Sequence, residues 1–239
     1  MEILTGKFFY CYVLIFTILY PLLQSFESKL KLYTKWKSLL FALLICVLVH
    51  VPIDIVLTNL SVWSFNSDYI LGFKFLNLPI EEWLFFIIIP YACIFIYEVL
   101  NYFFNNVRSS QLIFNLTLLS AVVLLIIACT YYNNIYTVLY FSLASVTCFI
   151  VFYFKPIWWG NFLRSYLVSL LPFLFINGLL TGSFTEYPIV SYNPEHIIGH
   201  RILNIPVEDA VYNFVILAEV IACYEMFKKL FKKIPVKNN

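Results

Sequence analysis

Two pairs of adjacent acids, Glu81-Glu82 and Glu208-Asp209, begin two long apolar segments, and each pair directly follows a Pro-Ile or Pro-Val dipeptide. Carboxyl groups beside lipid are costly, so such residues usually serve a function. A buried carboxyl that keeps its proton acts as a general acid, and an ionised neighbour accepts a proton as a general base. The four acids are therefore candidates for acid–base catalysis.

A simpler interpretation fits the same residues. Acids in the first turn of a helix are a routine start signal, because each interacts favourably with the helix dipole by about 0.3–1 kcal/mol. Proline is also common there, since its missing N–H costs little. Two carboxyls at each site exceed what a helix start requires, yet both interpretations stay open on sequence alone.

The acidic segments belong to an internal repeat. Residues 69–82 read YILGFKFLNLPIEE, and residues 196–209 read HIIGHRILNIPVED. The same offset of 127 residues (69 to 196) relates Asn66 to Asn193 upstream and relates a Tyr-Glu pair at 97–98 to another at 224–225. A repeat of this kind predicts two copies of one structural unit.

Composition indicates a membrane protein. Hydrophobic residues make up 62% of the chain and charged residues 12%, and the mean hydropathy is +0.88, which is far too apolar for a soluble domain. The net charge of +2 comes from dispersed basic residues, so no nucleic-acid partner is predicted. A helix needs about 20 apolar residues to cross a bilayer. Seven such spans are predicted, at 8–26, 39–60, 80–104, 112–132, 134–154, 162–182 and 207–228.

These spans predict an all-α polytopic membrane protein with seven transmembrane helices in a 3+1+3 arrangement. The first repeat covers residues 1–106, a linker helix covers 107–133, and the second repeat covers 134–239. Moving four helices along the chain restores the same membrane orientation, so parallel repeats about an axis along the membrane normal are expected. Both acidic pairs would then lie at one membrane edge and face a shared cleft.

Basic residues indicate the orientation. They collect in the loops after the first, third and fifth spans and after the seventh, whereas the long loops on the other side contain only Lys74 and Arg201. By the positive-inside rule, the N-terminus lies outside and the C-terminus lies in the cytoplasm, with the protein in the cell membrane. Glu98 and Glu225 lie near the cytoplasmic ends of their spans and are expected to form structural ion pairs.

Further polar residues are expected near the acids. His50 and Asp54 lie one turn apart on the second span, with Pro52 between them, so they either compensate a kink or bind substrate. His196 and His200 have no third ligand, and no nucleotide-binding glycine pattern occurs, so neither a metal nor a cofactor is predicted. The outer loops supply four further candidates for the cleft, of which the aromatic ones also suit a membrane interface: Trp63, Asn66, Tyr192 and Asn193.

At these residues the chain resembles a known family. The strings LPIEEWLFFIIIPYACIFIYE and IPVEDAVYNF are similar to those of the membrane-embedded lycopene cyclases, which occur as two small subunits or as one fused chain. The resemblance covers nearly the whole chain and fits the fused form. It implies that the essential acids are Glu81, Glu82, Glu208 and Asp209. Asp209 departs from a double Glu, but the second subunit type usually has this shorter acid.

The resemblance implies a lycopene β-cyclase, an isomerase that needs no cofactor. A protonated carboxyl would protonate the terminal double bond of lycopene, the neighbouring double bond would close a six-membered ring, and a base would remove a proton to give a β-ring. The implied products are γ-carotene and β-carotene. The implied partners are lycopene in the bilayer, membrane lipid and other carotenoid-pathway enzymes. The aromatic residues expected to stabilise the cation are Trp83, Phe85, Phe86 and Tyr212.

Two other functions share this helix plan. A small transporter of the SWEET type also has three helices, a linker helix and three more, but it should line its midplane with polar groups. Here the acids gather at one membrane edge. A non-catalytic subunit that binds carotenoid or a protein partner is the third interpretation, and the presence of both motifs argues against it.

Overall fold

Seven α-helices make up most of the protein, as a computed structural model of residues 6–183 and 185–232 describes it. Each helix overlaps one predicted span, so the predicted helices are confirmed. Parts of the two predicted repeats, residues 1–5, 184 and 233–239, lie outside the described residues. The helices are α1 (Phe9–Gln24), α2 (Trp36–Asn59), α3 (Ile80–Phe103), α4 (Gln111–Thr130), α5 (Ile135–Phe154), α6 (Trp159–Leu180) and α7 (Glu208–Lys232).

Six of these helices, α2 to α7, are long and apolar enough to cross a membrane within the part of the chain described. Helix α1 has only 16 residues, which gives a length of about 24 Å at 1.5 Å per residue. The hydrocarbon core of a bilayer is about 30 Å thick. The predicted span at 8–26 is thus a shorter apolar helix than expected.

Short strands, which were not predicted, shape the loops before α3 and α7. They are β1 (Trp63–Phe65), β2 (Lys74–Phe75), β3 (Leu78–Pro79), β4 (Val190–Tyr192), β5 (Arg201–Ile202) and β6 (Ile205–Pro206). β2 and β3 form one tight hairpin, and β5 and β6 form another in the same register. Gly72 (φ +85°) and Gly199 (φ +91°) precede the hairpins in a conformation that favours glycine, which explains the glycine in both copies of the repeat.

Strands β1 and β4 join the two loops by antiparallel pairing. Ser64 lies opposite Ser191, its counterpart in the sequence repeat. On either side, the Asn66 amide donates to the Ile189 carbonyl at 2.8 Å, and the Asn193 amide donates to the Val62 carbonyl at 2.9 Å. These two hydrogen bonds are also related by the offset of the repeat. The paired strands form a cover over the ends of the helices beneath them.

Helix packing brings α3 and α7 close together beneath this cover. α1 packs against α3, α5 packs against α7, α2 packs against α7, and α3 packs against α6. The core is rich in buried aromatic residues, among them Tyr10, Tyr136, Tyr140 and Phe86. Helix α4 contacts mainly α5 and buries only a narrow stripe. Tyrosine suits such a core when its hydroxyl reaches a hydrogen-bond partner.

At the end of α3 away from the paired strands, a cluster of ion pairs joins α3, α7 and the turn that precedes α2. The buried Glu98 carboxylate pairs with Lys35 and with Lys228, and Lys228 also pairs with Glu225 at 2.9 Å. Tyr224 donates to Glu98 at 2.8 Å. The ion pairs predicted for Glu98 and Glu225 are confirmed.

We expect Glu98→Gln to destabilise the protein by about 1–3 kcal/mol, because it leaves two lysines near a neutral amide in a partly buried site. Thermal unfolding of the purified protein in detergent measures the change. Glu186→Gln, in an exposed loop position, serves as the control and should leave the unfolding temperature unchanged. Equal effects of the two substitutions would contradict a stabilising role for the cluster.

Candidate active site

A narrow cavity lies between the paired strands and the starts of α3 and α7. Its free volume is about 40 Å³, which leaves room for only a few water molecules. Its lining includes no Lys, Arg or His among the described residues. The residues that line it are Tyr10, Asp54, Trp63, Phe65, Glu82, Phe85, Tyr136, Phe173, Asn177, Leu180, Val190, Tyr192, Asp209 and Tyr212.

The second acid of each predicted pair faces this cavity. Glu82 comes from the first turn of α3, and Asp209 comes from the first turn of α7. Both side chains are buried. The structure therefore brings one carboxyl from each copy of the repeat to the same small space.

The two carboxyls differ in their hydrogen bonds. Glu82 Oε1 accepts from the Tyr10 hydroxyl at 2.7 Å. Asp209 accepts from three donors: Tyr136 at 2.7 Å, Asn177 at 2.5 Å and Tyr192 at 2.9 Å. Three donors on one carboxyl group suit its ionised form, which can only accept. Asp209 is therefore the better hydrogen-bonded anion of the two.

Tyr192 lies in the outer loop, on β4. Burial raises the pKa of its hydroxyl above the ordinary value, and the neighbouring Asp209 carboxylate raises this pKa further. The hydroxyl consequently keeps its proton and acts as a donor to Asp209. The cover of paired strands thereby contributes directly to the environment of this acid.

The first acid of each pair has a different role. Glu81 Oε1 accepts from the Leu71 amide at 2.7 Å, and Glu208 Oε1 accepts from the Ile198 amide at 2.6 Å. The offset of the repeat relates these two bonds. Each bond joins a helix start to the residue before the repeated glycine, Gly72 or Gly199, of its own loop. Thr137 also donates to Glu208, at 2.7 Å. Both acids are buried but absent from the cavity lining, so they brace the loops.

Asp54 is a third carboxyl on the cavity. It lies on α2 and is 3% exposed, and neither of its oxygens has a hydrogen-bond partner in the described structure. The nearby Trp63 indole N–H donates to Thr58 at 3.0 Å. His50, one turn earlier, lies outside the cavity lining.

His50 contacts neighbouring helices rather than the cavity. Its Nε2 lies 3.0 Å from Glu219 Oε2 on α7, and its ring stacks parallel to Phe86 with centroids 6.1 Å apart. Both contacts join α2 to neighbouring helices. His50 was predicted to lie near the acids; it shares α2 with Asp54 but does not line the cavity.

The remaining predicted substrate-binding residues lie in four different places. Trp63 and Tyr212 line the cavity. Phe86 lies behind it, with its ring against those of Phe85 and Tyr212. Trp83 packs against Phe75 on the loop surface. Asn66 and Asn193 lie in turns, where each side-chain oxygen accepts a hydrogen bond from the backbone amide two residues further on.

Sequence analysis missed two cavity tyrosines, Tyr10 on α1 and Tyr136 on α5. Their hydrogen bonds to acids span 72 and 73 residues, and no local pattern marks such a distant pairing. Asn177 offered a weak signal, because it occupies the position of His50 in the second copy of the repeat. Asn177 donates to Asp209 at the start of α7, whereas His50 contacts Glu219 further along the same helix.

Comparison with known protein families gives one match. The model of the family described as lycopene cyclase matches residues 7–100 and, separately, residues 133–227. The two matches leave out residues 101–132, which include α4, and together they cover most of the chain. No curated protein and no solved structure matches the chain.

The bracing role of Glu208 predicts different effects for two substitutions. Glu208→Gln retains a side-chain oxygen that accepts from Ile198 and Thr137, so the loss of stability should stay below about 1 kcal/mol. Glu208→Ala leaves both donors without an acceptor and should cost about 1–3 kcal/mol. Chemical unfolding followed by tryptophan fluorescence compares the two variants, and losses of equal size would contradict the bracing role.

Proposed function

The chain belongs to the lycopene cyclase family, and from this we propose that it is a lycopene β-cyclase, which closes the linear end groups of lycopene to β-rings, giving γ-carotene and then β-carotene. The observation that carries the proposal is the meeting of Glu82 and Asp209, one carboxyl from each copy of the repeat, in a buried cavity without basic side chains. Such a site can hold and accept protons next to an apolar substrate. The reaction changes no oxidation state, so the enzyme is an isomerase of the intramolecular lyase type.

The chemistry proposed for this cavity is general acid–base catalysis. A protonated carboxyl gives its proton to the terminal double bond, forming a new C–H bond and a tertiary cation. The neighbouring double bond attacks that cation and closes the ring, which moves the positive charge onto a ring carbon. Asp209, held as an anion by its three donors, removes a proton from the adjacent carbon and leaves the ring double bond. Each well-placed acid or base contributes about 10²–10⁴-fold.

Aromatic side chains surround the space where the cation would form. Trp63, Phe85 and Tyr212 line the cavity, and an aromatic face stabilises a desolvated cation by about 2 kcal/mol. The cover of β1 and β4 closes the outer side. Exclusion of water matters here because water would trap the cation as an alcohol.

An end group of lycopene needs more space than about 40 Å³, so side chains must move when it binds. A second, apolar groove of about 530 Å³ runs between α1, α3 and α6 and shares Phe173 with the cavity. On α3, Phe85 lines the cavity and Ile89, one turn further, lines the groove. We infer that the polyene lies in this groove and that its end group reaches the acids past Phe173.

The proposed architecture is that of two parallel three-helix repeats, residues 1–106 and 134–239, joined by the linker helix in 107–133. The pairing of Ser64 with Ser191 supports it. So do two reciprocal contacts at the other end, where Tyr97 donates to Glu225 and Tyr224 donates to Glu98. With α1 as a seventh crossing in the cell membrane, the N-terminus is outside and the C-terminus is cytoplasmic, and the acids lie at the outer edge.

Expression in a bacterium that accumulates lycopene, followed by pigment chromatography, tests the function. The native protein should convert lycopene to ringed carotenes. Glu82→Gln and Asp209→Asn should each lower ring formation at least about 100-fold, because they replace the cavity acids with amides of the same shape. The matched controls Glu81→Gln and Glu208→Gln change the other two acids that the family resemblance implies are essential, which lie outside the cavity lining. They should retain most activity, because each amide keeps an oxygen that can accept from the loop backbone. Unchanged lycopene beside well-expressed native protein would refute the proposal.

The proposed location of the polyene in the groove between α1, α3 and α6 gives a separate prediction. Ala92 lines it, and Ala222 lines an apolar groove of about 370 Å³ between α2, α5 and α7. Ala92→Trp should obstruct the polyene and reduce ring formation at least tenfold, whereas Ala222→Trp should leave it within about twofold of native. Pigment chromatography at matched membrane protein levels measures both, and the reverse pattern would assign the polyene to the other groove.

A further inference from the structure

We propose that Asp54 is the proton donor of the reaction, a catalytic residue outside both repeated acidic pairs. The proposal deepens the proposed function and rests on it. Asp54 lines the cavity together with Glu82 and Asp209, and it lies on α2 rather than on α3 or α7.

The hydrogen bonds of the three cavity carboxyls distinguish their roles. Within the described residues, Asp209 has three donors and Glu82 has one. Neither oxygen of Asp54 has a partner there, and the nearby Trp63 indole N–H donates to the Thr58 hydroxyl at 3.0 Å. A buried anion without donors or a counter-cation is strongly disfavoured, so a carboxyl in that situation keeps its proton. Asp54 is 3% exposed, and the lining around it contains no basic side chain within the described residues. Among the three acids, it is the one best suited to store a proton and give it to an alkene.

The proposed step balances within the cavity. The O–H bond of Asp54 breaks as the C–H bond at the terminal alkene carbon forms, and Asp54 becomes an anion next to the new cation. After ring closure, Asp209 takes the proton that leaves the ring. When the product departs, water exchanges a proton onto Asp54 and one away from Asp209, so that the cycle consumes none. Among the described residues, Glu82 has one donor, Tyr10, and is thus intermediate between Asp54, which has none, and Asp209, which has three. In this proposal Glu82 stabilises the cation electrostatically.

The donor has no equivalent in the second copy of the repeat. The position that corresponds to Asp54 is Thr181, whose hydroxyl donates to the Gly178 carbonyl of its own helix. The cavity therefore contains a single donor despite its duplicated acids.

The test compares Asp54→Asn with Thr181→Val in the lycopene-accumulating bacterium. Asp54→Asn should lower ring formation at least about 100-fold while the purified variant still binds lycopene, as shown by its visible absorption. Asp54→Glu should restore part of the activity, and Thr181→Val should stay within about threefold of native. An Asp54→Asn variant that keeps more than a tenth of native activity would overturn the proposal.

Infrared spectroscopy of the native protein gives a second test that does not depend on the folding of Asp54→Asn. A protonated buried carboxyl should give a C=O band that shifts in D₂O and changes position in Asp54→Glu. Absence of such a change would show that Asp54 holds no proton, and would overturn its assignment as donor. Failure of the proposed function would appear differently, as native protein that forms no ring at all.

Discussion

Burial of several carboxyl groups around one cavity, whose lining in the described part of the chain has no basic side chain, is the constraint that the rest of this structure must satisfy. An ionised carboxylate in an apolar medium is costly unless donors surround it. The protein supplies donors from distant elements: Tyr10 from α1, Tyr136 from α5, Asn177 from α6 and Tyr192 from the paired strands. The positive ends of the α3 and α7 dipoles add a favourable field at their first turns. The helix packing can thus be understood as the means of bringing these donors to the acids.

The two interpretations of the acidic pairs, as helix starts and as catalytic groups, are compatible with each other. The first acid of each pair, Glu81 or Glu208, binds a backbone amide of its own loop, as a residue at a helix start would. The second acid, Glu82 or Asp209, faces the cavity and is available for chemistry. A pair of adjacent acids on a helix points in two directions, about 100° apart, so one pair serves both roles.

Much of this arrangement was predictable from sequence. Hydrophobic segments predicted all seven helices, because apolar length is a strong and local signal. The repeat predicted which loops resemble each other, and the hairpins at 74–79 and 201–206 do so. The short strands escaped prediction, since two or three residues carry no periodic pattern. The division of work within each acidic pair escaped it too, because that depends on Leu71, Ile198 and Tyr10, whose contacts only the fold creates.

The duplicated framework carries different side chains in its two halves. Asp54 and His50 on α2 correspond to Thr181 and Asn177 on α6, and only Asn177 contacts a motif acid directly. Similar backbones thus surround a site whose two sides differ chemically. That difference suits a reaction in which one group gives a proton and another removes one.

Deuterium incorporation tests the central claim most directly. Purified protein in lipid nanodiscs, equilibrated in D₂O and given lycopene without any added cofactor, should form rings that each contain one deuterium, at the carbon of the former terminal alkene. Mass spectrometry of the product measures it. Rings formed without deuterium would show that the proton does not come from exchangeable carboxyl groups in the cavity, and would contradict the account.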